Sequence, residues 1–527
     1  MTKKNVNKTV LVILDGWGIR NEIKGNAIAQ ANTPFYEQML RQYPMTQLQA
    51  SSGFVGLPEA VMGNSEVGHM NIGAGKVIAQ DLVRINESLA NKTFTENKSF
   101  QSMLTQHKAT GRKIHLLGLI SDGCVHSSEE HYSQIIQLLF EQGADMKKVY
   151  FHAILDGRDT SPRSALQYIK NLQAVLNRWG GQLASLSGRF FAMDRDQRWE
   201  RTAEALKVML DIGSNKSCTD PIKAIEKSYE QGISDEFFEP CKVLTPDQSY
   251  AGKIEEHDVV FCFNFRSDRM RQICKALTEK TIKEQCLQSV DMTDEGPLLD
   301  VSKVFTMTRY SWAFAFPVLF DEQKIDMCLG ETIESHHLKQ FRVAETEKYA
   351  HVTFFLNGGR EEPYREERRY LVPSPKVKTY DEVPAMNSSI VTDHVCSAIE
   401  QKQEHLIVVN YAQPDMIGHT GNFEAALKAV EATDTCLERI AQAALENDYK
   451  VFVTADHGNI EQMLDDNGNV HTAHTLNPVP FILLGRDVKN IKLQSEGVLS
   501  NIAPTILQTM NIKVPIQMKS KSLLSKK

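Results

Sequence analysis

The chain is short of several features that would assign it to a simple class. None of its apolar runs approaches the length of a membrane span, which removes a membrane partner. The run at 10–14 follows an N-terminal lysine cluster, but it is too short for a secretory leader. It stops at Asp15 with no small-residue cleavage site behind it. Positive charge is scarce: 59 Lys and Arg against 66 Asp and Glu leave a net charge of −7. Broad nucleic-acid binding needs a basic face, so that partner is excluded and any basic site is local. The nine cysteines are odd in number and scattered, with no CxxC pair. That argues against a disulfide framework and for a reduced, cytoplasmic protein whose thiols mostly pack in the core. There is no internal repeat, no low-complexity linker and no GxSxG elbow of a serine hydrolase.

What is present is a globular composition, 42% hydrophobic and 24% charged, spread over 527 residues. One core stops growing near 250–300 residues, so about two or three domains are expected. Short β-branched runs alternate with amphipathic helical patterns, which predicts α/β architecture with largely parallel sheets. Tyr132, Ile135, Ile136 and Leu139 follow helical spacing, as do Leu166, Ile169, Leu172 and Val175, with Gly143 and Gly180 placed to end those helices. The stretch at 284–316 reads as irregular, and the Lys-rich tail after Val514 reads as solvated and frayed.

Several apolar runs end abruptly in polar residues, and ligands of open α/β sheets sit at the carboxyl ends of strands. VLVILDGWG ends at Asp15, LIVVNYAQPD at Asp415, and KVFVTADHGN at Asp456 and His457. Asp415 and His419 are four apart and share one face of a helical turn, and His471 and His474 follow in HTAHT. Asp and His donors without thiolates suit Mn, Mg or Zn, and two clusters of them suit a two-metal phosphoryl-transfer site. In MGNSEVGHMNIGAG, Ser65 stands at a strained turn or a helix start and needs a base or a metal to become a nucleophile; the plainer reading is a helix N-cap. His69 is a base, a ligand or a structural partner. In the middle of the chain, His126, Arg158, Asp159, Arg189, Arg195, Arg266 and Arg269 lie at or just after strand ends. Arginine at such places suits bidentate contact with phosphate or carboxylate.

The strings LDGWG, MGNSEVGHMNIGAG, LDGRDTSP, AMDRDQRWER, NFRSDRMRQ, AETEKYAHVTFFLNGG, VPSPKVKTYD, NYAQPDMIGHTG, VTADHGN and TAHTLNPVPF extend along nearly the whole chain. Together they resemble the cofactor-independent (2,3-bisphosphoglycerate-independent) phosphoglycerate mutases of the alkaline phosphatase-like superfamily. The resemblance implies an α/β fold with a discontinuous phosphatase-like metal domain, about residues 1–79 and 317–527, and an inserted α/β substrate-binding domain at 80–316. The insert would close over the metal domain to keep water out. It further implies two Mn²⁺ ions and interconversion of 3-phosphoglycerate and 2-phosphoglycerate, without 2,3-bisphosphoglycerate, by a monomer. One Mn²⁺ would be held by Asp415, His419 and His474, the other by Asp15, Ser65, Asp456 and His457, leaving His471 a bystander. Ser65 would be the nucleophile, with Lys348 stabilising its alkoxide and Asp159 serving as acid/base for the glycerate hydroxyls. His126, Arg158, Asp159, Arg189, Arg195, Arg266, Arg269 and Lys348 would bind the substrate. A metal-dependent phosphatase or another phosphomutase on the same scaffold is the alternative. The chain departs from the family pattern at Cys124, where glycine is frequent, at Ser128, where histidine is, and at Ser267, where proline is.

Overall fold

The computed structural model describes residues 6–213, 216–289, 296 and 298–525. The chain forms two compact units, Met1–Gln80 together with Gln323–Lys527, and Asp81–Glu322. Each is built on an eight-stranded sheet that is mostly parallel, so the α/β class predicted from the alternating pattern is the one observed.

In the discontinuous unit the strand order is Glu367–Val372, Gln340–Glu345, Leu406–Tyr411, Lys8–Leu14, Tyr449–Thr454, Val479–Leu484, Met45–Gln49, Glu496–Val498. Lys8–Leu14 is central, pairing in parallel with Leu406–Tyr411 on one side and Tyr449–Thr454 on the other. A strand covered on both faces must be apolar throughout rather than alternating, and Val10 to Leu14 are fully buried. Val479–Leu484 runs antiparallel to both its neighbours. The long helix Phe423–Glu446 packs on the helix Ser388–Gln401 and on Tyr449–Thr454. It starts where the Asn422 side chain accepts from the Ala425 amide at 3.2 Å, a cap that satisfies one of the unpaired amides of a first turn. Because the three central strands are parallel, their carboxyl ends lie at one edge of the sheet, and Asp15, Asp415, Asp456 and His457 follow those ends.

The other unit orders Val318–Phe320, Val304–Thr308, Val259–Cys262, Ile114–Ile120, Val149–Leu155, Gln182–Gly188, Cys241–Val243 and Ser217–Cys218. Ile114–Ile120 and Val149–Leu155 are buried along their whole length. The predicted helices are Glu129–Glu141 and Ala165–Trp179, and Gly180 is the cap of the second with φ +96°. Tyr132, Ile135, Ile136 and Leu139 are all buried.

Two expectations are corrected. The tail after Val514 is anchored: Met518 and Leu523 are buried, the Ser520 amide donates to the Gly75 carbonyl, and the Leu523 amide donates to Thr505 Oγ1. A strap held at a few separated points carries no periodicity, which is why its pattern looked solvated. Within 284–316 lie the end of the helix Lys280–Gln288 and the strand Val304–Thr308, while 290–295 and 297 lie outside the described residues.

Candidate active site

In the discontinuous unit the strand ends converge on Ser65. Asn64 rather than Ser65 is the N-cap of the helix Ser65–Ala74, accepting from the Val67 amide at 3.0 Å, so Ser65 is its first residue and its hydroxyl is free for other partners. Ser65 Oγ donates to Asp15 Oδ1 at 3.1 Å, lies 3.0 Å from His457 Nε2 and accepts from Lys348 Nζ at 2.8 Å. Lys348, on the short helix Thr346–Ala350, also donates to Asp15 Oδ1 and Asp415 Oδ2, each at 2.7 Å. Burial alone would neutralise this lysine, but the carboxylates of Asp15, Asp415 and Asp456 outweigh it and hold the ammonium above its ordinary range. Burial and the neighbouring Asp456 push Asp15 up. Burial acts on Asp415 in the same sense, but Lys348, His419 and His474 overcome it and hold that carboxyl well below the usual range.

The remaining donors stand around these. His457 Nε2 is 3.5 Å from both Asp15 Oδ1 and Asp456 Oδ2. His419, which caps the helix Gln413–Gly418, lies 3.2 Å from Asp415 Oδ1, and His474 Nε2 lies 3.3 Å from the same oxygen. Asp415 raises the affinity of both imidazoles for a proton, against the effect of burial at His474. His471 turns away, its Nδ1 lying 2.9 Å from the Gln462 carbonyl. Ligand atoms within 4.8 Å of one another group as Asp415, His419 and His474; as Asp15, Asp415 and His457; and as Asp15, His69 and Asp456. Asp415 therefore belongs to two groups, and His69 enters a third. Gly16 closes the strand turn at φ +72°, where a Cβ would lie 2.9 Å from Asp415 Cα; only glycine lets Asp15 and Asp415 come this close.

The donor set fits a metal. Asp15, Asp415 and Asp456 are fully buried, and among the described residues Lys348 is the one lysine or arginine paired with them, reaching two of the three. Buried carboxylates need compensating charge, and oxygen and imidazole donors without sulfur suit hard or borderline divalent ions.

Residues that the sequence did not single out complete the site. Asn410, at the end of Leu406–Tyr411, donates through Nδ2 to Asp15 Oδ2 at 2.7 Å and lies 3.0 Å from His69 Nε2. His69 Nδ1 in turn lies 2.8 Å from the Ser65 carbonyl. With the proton on Nδ1, a closed ring of hydrogen bonds runs Ser65, Asp15, Asn410, His69 and back to Ser65. Asn459 Nδ2 donates to Asp415 Oδ1 at 2.9 Å. Asn410 and Asn459 stand within strings that the family resemblance covers, and that was the available signal for them.

In the other unit a second cluster gathers at the strand ends. Arg189, buried just after Gln182–Gly188, donates through one Nη to Asp156 Oδ1 at 2.6 Å and Asp159 Oδ2 at 2.5 Å, and its other Nη is 3.1 Å from His126 Nε2. Burial, then Arg189, depress His126 to about 4, so it is a neutral acceptor at neutral pH. Arg195 donates to Asp268 Oδ2 at 2.7 Å and Arg266 Nε lies 3.1 Å from Asp268 Oδ1. Arg269 donates to the Met193 carbonyl at 3.2 Å; burial, then Arg189, Arg195 and Arg158, lower its pKa, the sign of crowded cations. Arg158, Arg195 and Arg266 are each about half exposed, and Arg158 pairs outside the cluster, 3.4 Å from Glu236. Asp156, buried, and Asp268, partly exposed, organise this cluster and were missed, because a carboxylate that orients an arginine leaves no spacing signature. Cys124 takes φ +51°, the region glycine prefers, which accounts for the frequent glycine there. Lys348 is found with Ser65, in the discontinuous unit.

Residues 7–514 match the Metalloenzyme superfamily. A 2,3-bisphosphoglycerate-independent phosphoglycerate mutase of Clostridium botulinum is 44% identical over 99% of this chain and the whole of its own length. One from Nostoc punctiforme is 44% identical over 99% of this chain and 97% of its own. Among solved structures, a Leishmania mexicana phosphoglycerate mutase at low cobalt concentration is similar at 28% identity and a TM-score of 0.60, covering 100% of this chain and 99% of that one. Full-length identity at this level, joined to a metal-ready cluster around one serine, places the chain in the 2,3-bisphosphoglycerate-independent phosphoglycerate mutase family.

Proposed function

We propose that this chain interconverts 3-phosphoglycerate and 2-phosphoglycerate through a phosphoserine at Ser65, with two Mn²⁺ ions and without 2,3-bisphosphoglycerate. The observation that carries the reading is Ser65 Oγ, held within 3.1 Å of Asp15, His457 and Lys348 at once. An isolated N-terminal serine of a helix has no use for a buried ammonium. Asp415, His419 and His474 would hold one ion, and Asp15, Ser65, Asp456 and His457 the other. When bound, these ions would supply Lewis-acid stabilisation of the serine oxygen and of the transferring phosphoryl group.

The chain's own residues account for the rest. Lys348 Nζ, fixed by two carboxylates, stabilises negative charge on Ser65 Oγ as it attacks phosphorus. The P–O bond to glycerate breaks and phosphoserine forms. Arg189, Arg195, Arg266 and Arg269, with Arg158 and His126, bind the anionic glycerate, and Asp159 moves protons at its hydroxyls. Asp159 is suited to this because its carboxylate is partly open to solvent while Arg189 fixes its position. Return attack by the other hydroxyl breaks the Ser65 O–P bond and completes the isomerisation.

The test supplies 3-phosphoglycerate and Mn²⁺ with no bisphosphoglycerate, and follows 2-phosphoglycerate and free phosphate together. The expected result is isomer without stoichiometric phosphate. Phosphate without isomer would replace the mutase by a metal-dependent phosphatase. Ser65→Ala should abolish both turnover and acid-stable phosphate on the protein; retained turnover would remove Ser65 as nucleophile.

A further inference from the structure

Two pairs of cysteines lie close together in the unit Asp81–Glu322, and their surroundings differ. Cys218 Sγ is 3.8 Å from Cys241 Sγ, and Cys262 Sγ is 3.6 Å from Cys274 Sγ. Cys262 and Cys274 are completely buried, on a central strand and the helix Arg271–Thr278. Cys218 and Cys241 sit on the two strands at the sheet edge, which pair in parallel as Ser217 with Lys242 and Cys218 with Val243. Cys218 is partly exposed, and both thiols line an open cavity of about 430 Å³. Lys216 and Lys227 stand on the same cavity wall, Lys216 paired with Glu239 at 2.9 Å.

We propose that Cys218 and Cys241 form a peroxide-responsive dithiol, with Cys218 the attacking thiol, Cys241 the resolving one, and a reversible disulfide between the two edge strands as the product.

The roles follow from position. A small oxidant entering the cavity meets Cys218 before the more buried Cys241. The hydrogen bond with Cys241 favours the Cys218 thiolate, and that bond together with burial holds the Cys241 thiol well above its ordinary value. The Cys218 thiolate attacks one oxygen of hydrogen peroxide; the O–O bond breaks, hydroxide leaves and takes up a proton, and Cys218 becomes a sulfenic acid. The Cys241 sulfur then attacks the Cys218 sulfur. The S–O bond breaks, the second oxygen leaves as water with the Cys241 proton, and the S–S bond forms. Each sulfur loses one electron and the peroxide gains two, so two thiols and one peroxide give one disulfide and two waters. The sulfurs must close from 3.8 Å to about 2.05 Å. The two-residue strand Ser217–Cys218 has a strand neighbour on one side only, which makes it the easier partner to shift.

The test uses the reduced full-length chain, low-millimolar hydrogen peroxide, quenching with N-ethylmaleimide and non-reducing peptide mapping. Titratable thiols in denaturant should fall from nine to seven, with one linked peptide pair joining Cys218 to Cys241, reversed by dithiothreitol. Cys262 and Cys274, though nearer each other, should remain alkylated as free thiols. Cys241→Ser should stop the reaction at a dimedone-reactive Cys218, and Cys218→Ser should leave Cys241 unlabelled. Unlinked Cys218 and Cys241 in the oxidised wild-type chain would overturn the proposal. So would oxidation of the buried pair at the same rate, or first labelling of Cys241. The decisive readout is on the wild-type chain, so it does not depend on either variant folding.

Discussion

Lys348 neutralises part of the charge that the proposed metal ions would otherwise balance, and Lys348→Met tests that directly. Methionine keeps the length and the apolar stem and removes the ammonium that donates to Asp15, Asp415 and Ser65. Losing one partner of a buried ion pair costs about 3–5 kcal/mol. An independent bound comes from protonation: a carboxylate left without its cation can instead take up a proton, and bringing an ordinary carboxyl to that state at pH 7 costs about 4 kcal/mol. Asp15, already pushed up by burial and by Asp456, is the carboxyl that takes it. The two routes agree on about 4 kcal/mol, or roughly 7 °C in Tm for a unit of this size. The assay is calorimetric unfolding of wild type and variant, in chelator and in Mn²⁺, at several pH values. In chelator the variant should melt about 7 °C lower. The cost should shrink by roughly 1.4 kcal/mol for each pH unit below 7, because protonation becomes easier as pH falls. In Mn²⁺ the deficit should fall to less than half. A deficit that is the same with and without metal, or that does not shrink with falling pH, would refute the charge argument.

Three further outcomes follow from other parts of the structure. Asn410→Leu breaks the hydrogen-bond ring at its middle and frees Asp15 Oδ2, so kcat should fall at least tenfold with KM changed less than threefold; equal loss in both would assign Asn410 to substrate binding instead. Gly68→Ala places a Cβ 2.7 Å from the Asp456 carbonyl oxygen and 2.8 Å from Asp456 Cβ, so Mn²⁺ affinity measured by titration should drop while the Asp81–Glu322 unit unfolds as in wild type. His131 is buried with its Nε2 on Asn86, and burial holds it at about 4 against an ordinary 6.5. Its folded pKa lies below the unfolded one, so its neutral form favours folding above pH 6.5 and that advantage is lost as pH falls through 4. The full effect is about 3 kcal/mol, and His131→Gln should lose that much less stability between pH 7 and pH 4 in acid unfolding of this unit.

How far the sequence could be read depended on what each residue does. Asp15, Asp456 and His457 end uninterrupted apolar strands, and a strand buried on both faces announces itself and its tip. The α/β class followed from the same alternation. What spacing could not supply was orientation. His471 and His474 are three apart on one irregular loop, and nothing in their spacing says that one turns to the Gln462 carbonyl while the other faces Asp415. Nor could it show that Asp415 borders two donor groups, because that depends on the close approach at Gly16, a contact between segments 400 residues apart in the chain. Asn410, Asp156 and Asp268 were missed for one reason: each acts by fixing another side chain, so its residue type is ordinary and only the three-dimensional contact gives it a role. The anchored tail was misread because two buried side chains separated by four residues make no period.

Local charge, rather than the net charge of −7, determines what these clusters attract. Around Ser65 three buried carboxylates share one lysine, an imbalance that favours cations. In the arginine cluster the imbalance is reversed. Arg189, Arg195, Arg266 and Arg269 are drawn together by Asp156, Asp159 and Asp268, yet Arg269 still feels more repulsion from its arginine neighbours than attraction from Asp268. Arginine does not relieve such repulsion by losing its proton, because its pKa lies far above neutral pH even when lowered. An anion arriving here would relieve the crowding. A carboxylate or phosphate among these residues replaces repulsion between fixed cations with charge-assisted hydrogen bonds, and that gain is available only where the arginines are already held in place. On the proposed reading, the acidic residues therefore assist an anionic substrate rather than compete with it: Asp156 and Asp268 hold Arg189, Arg195 and Arg266 in place, so the anion would not have to order them itself.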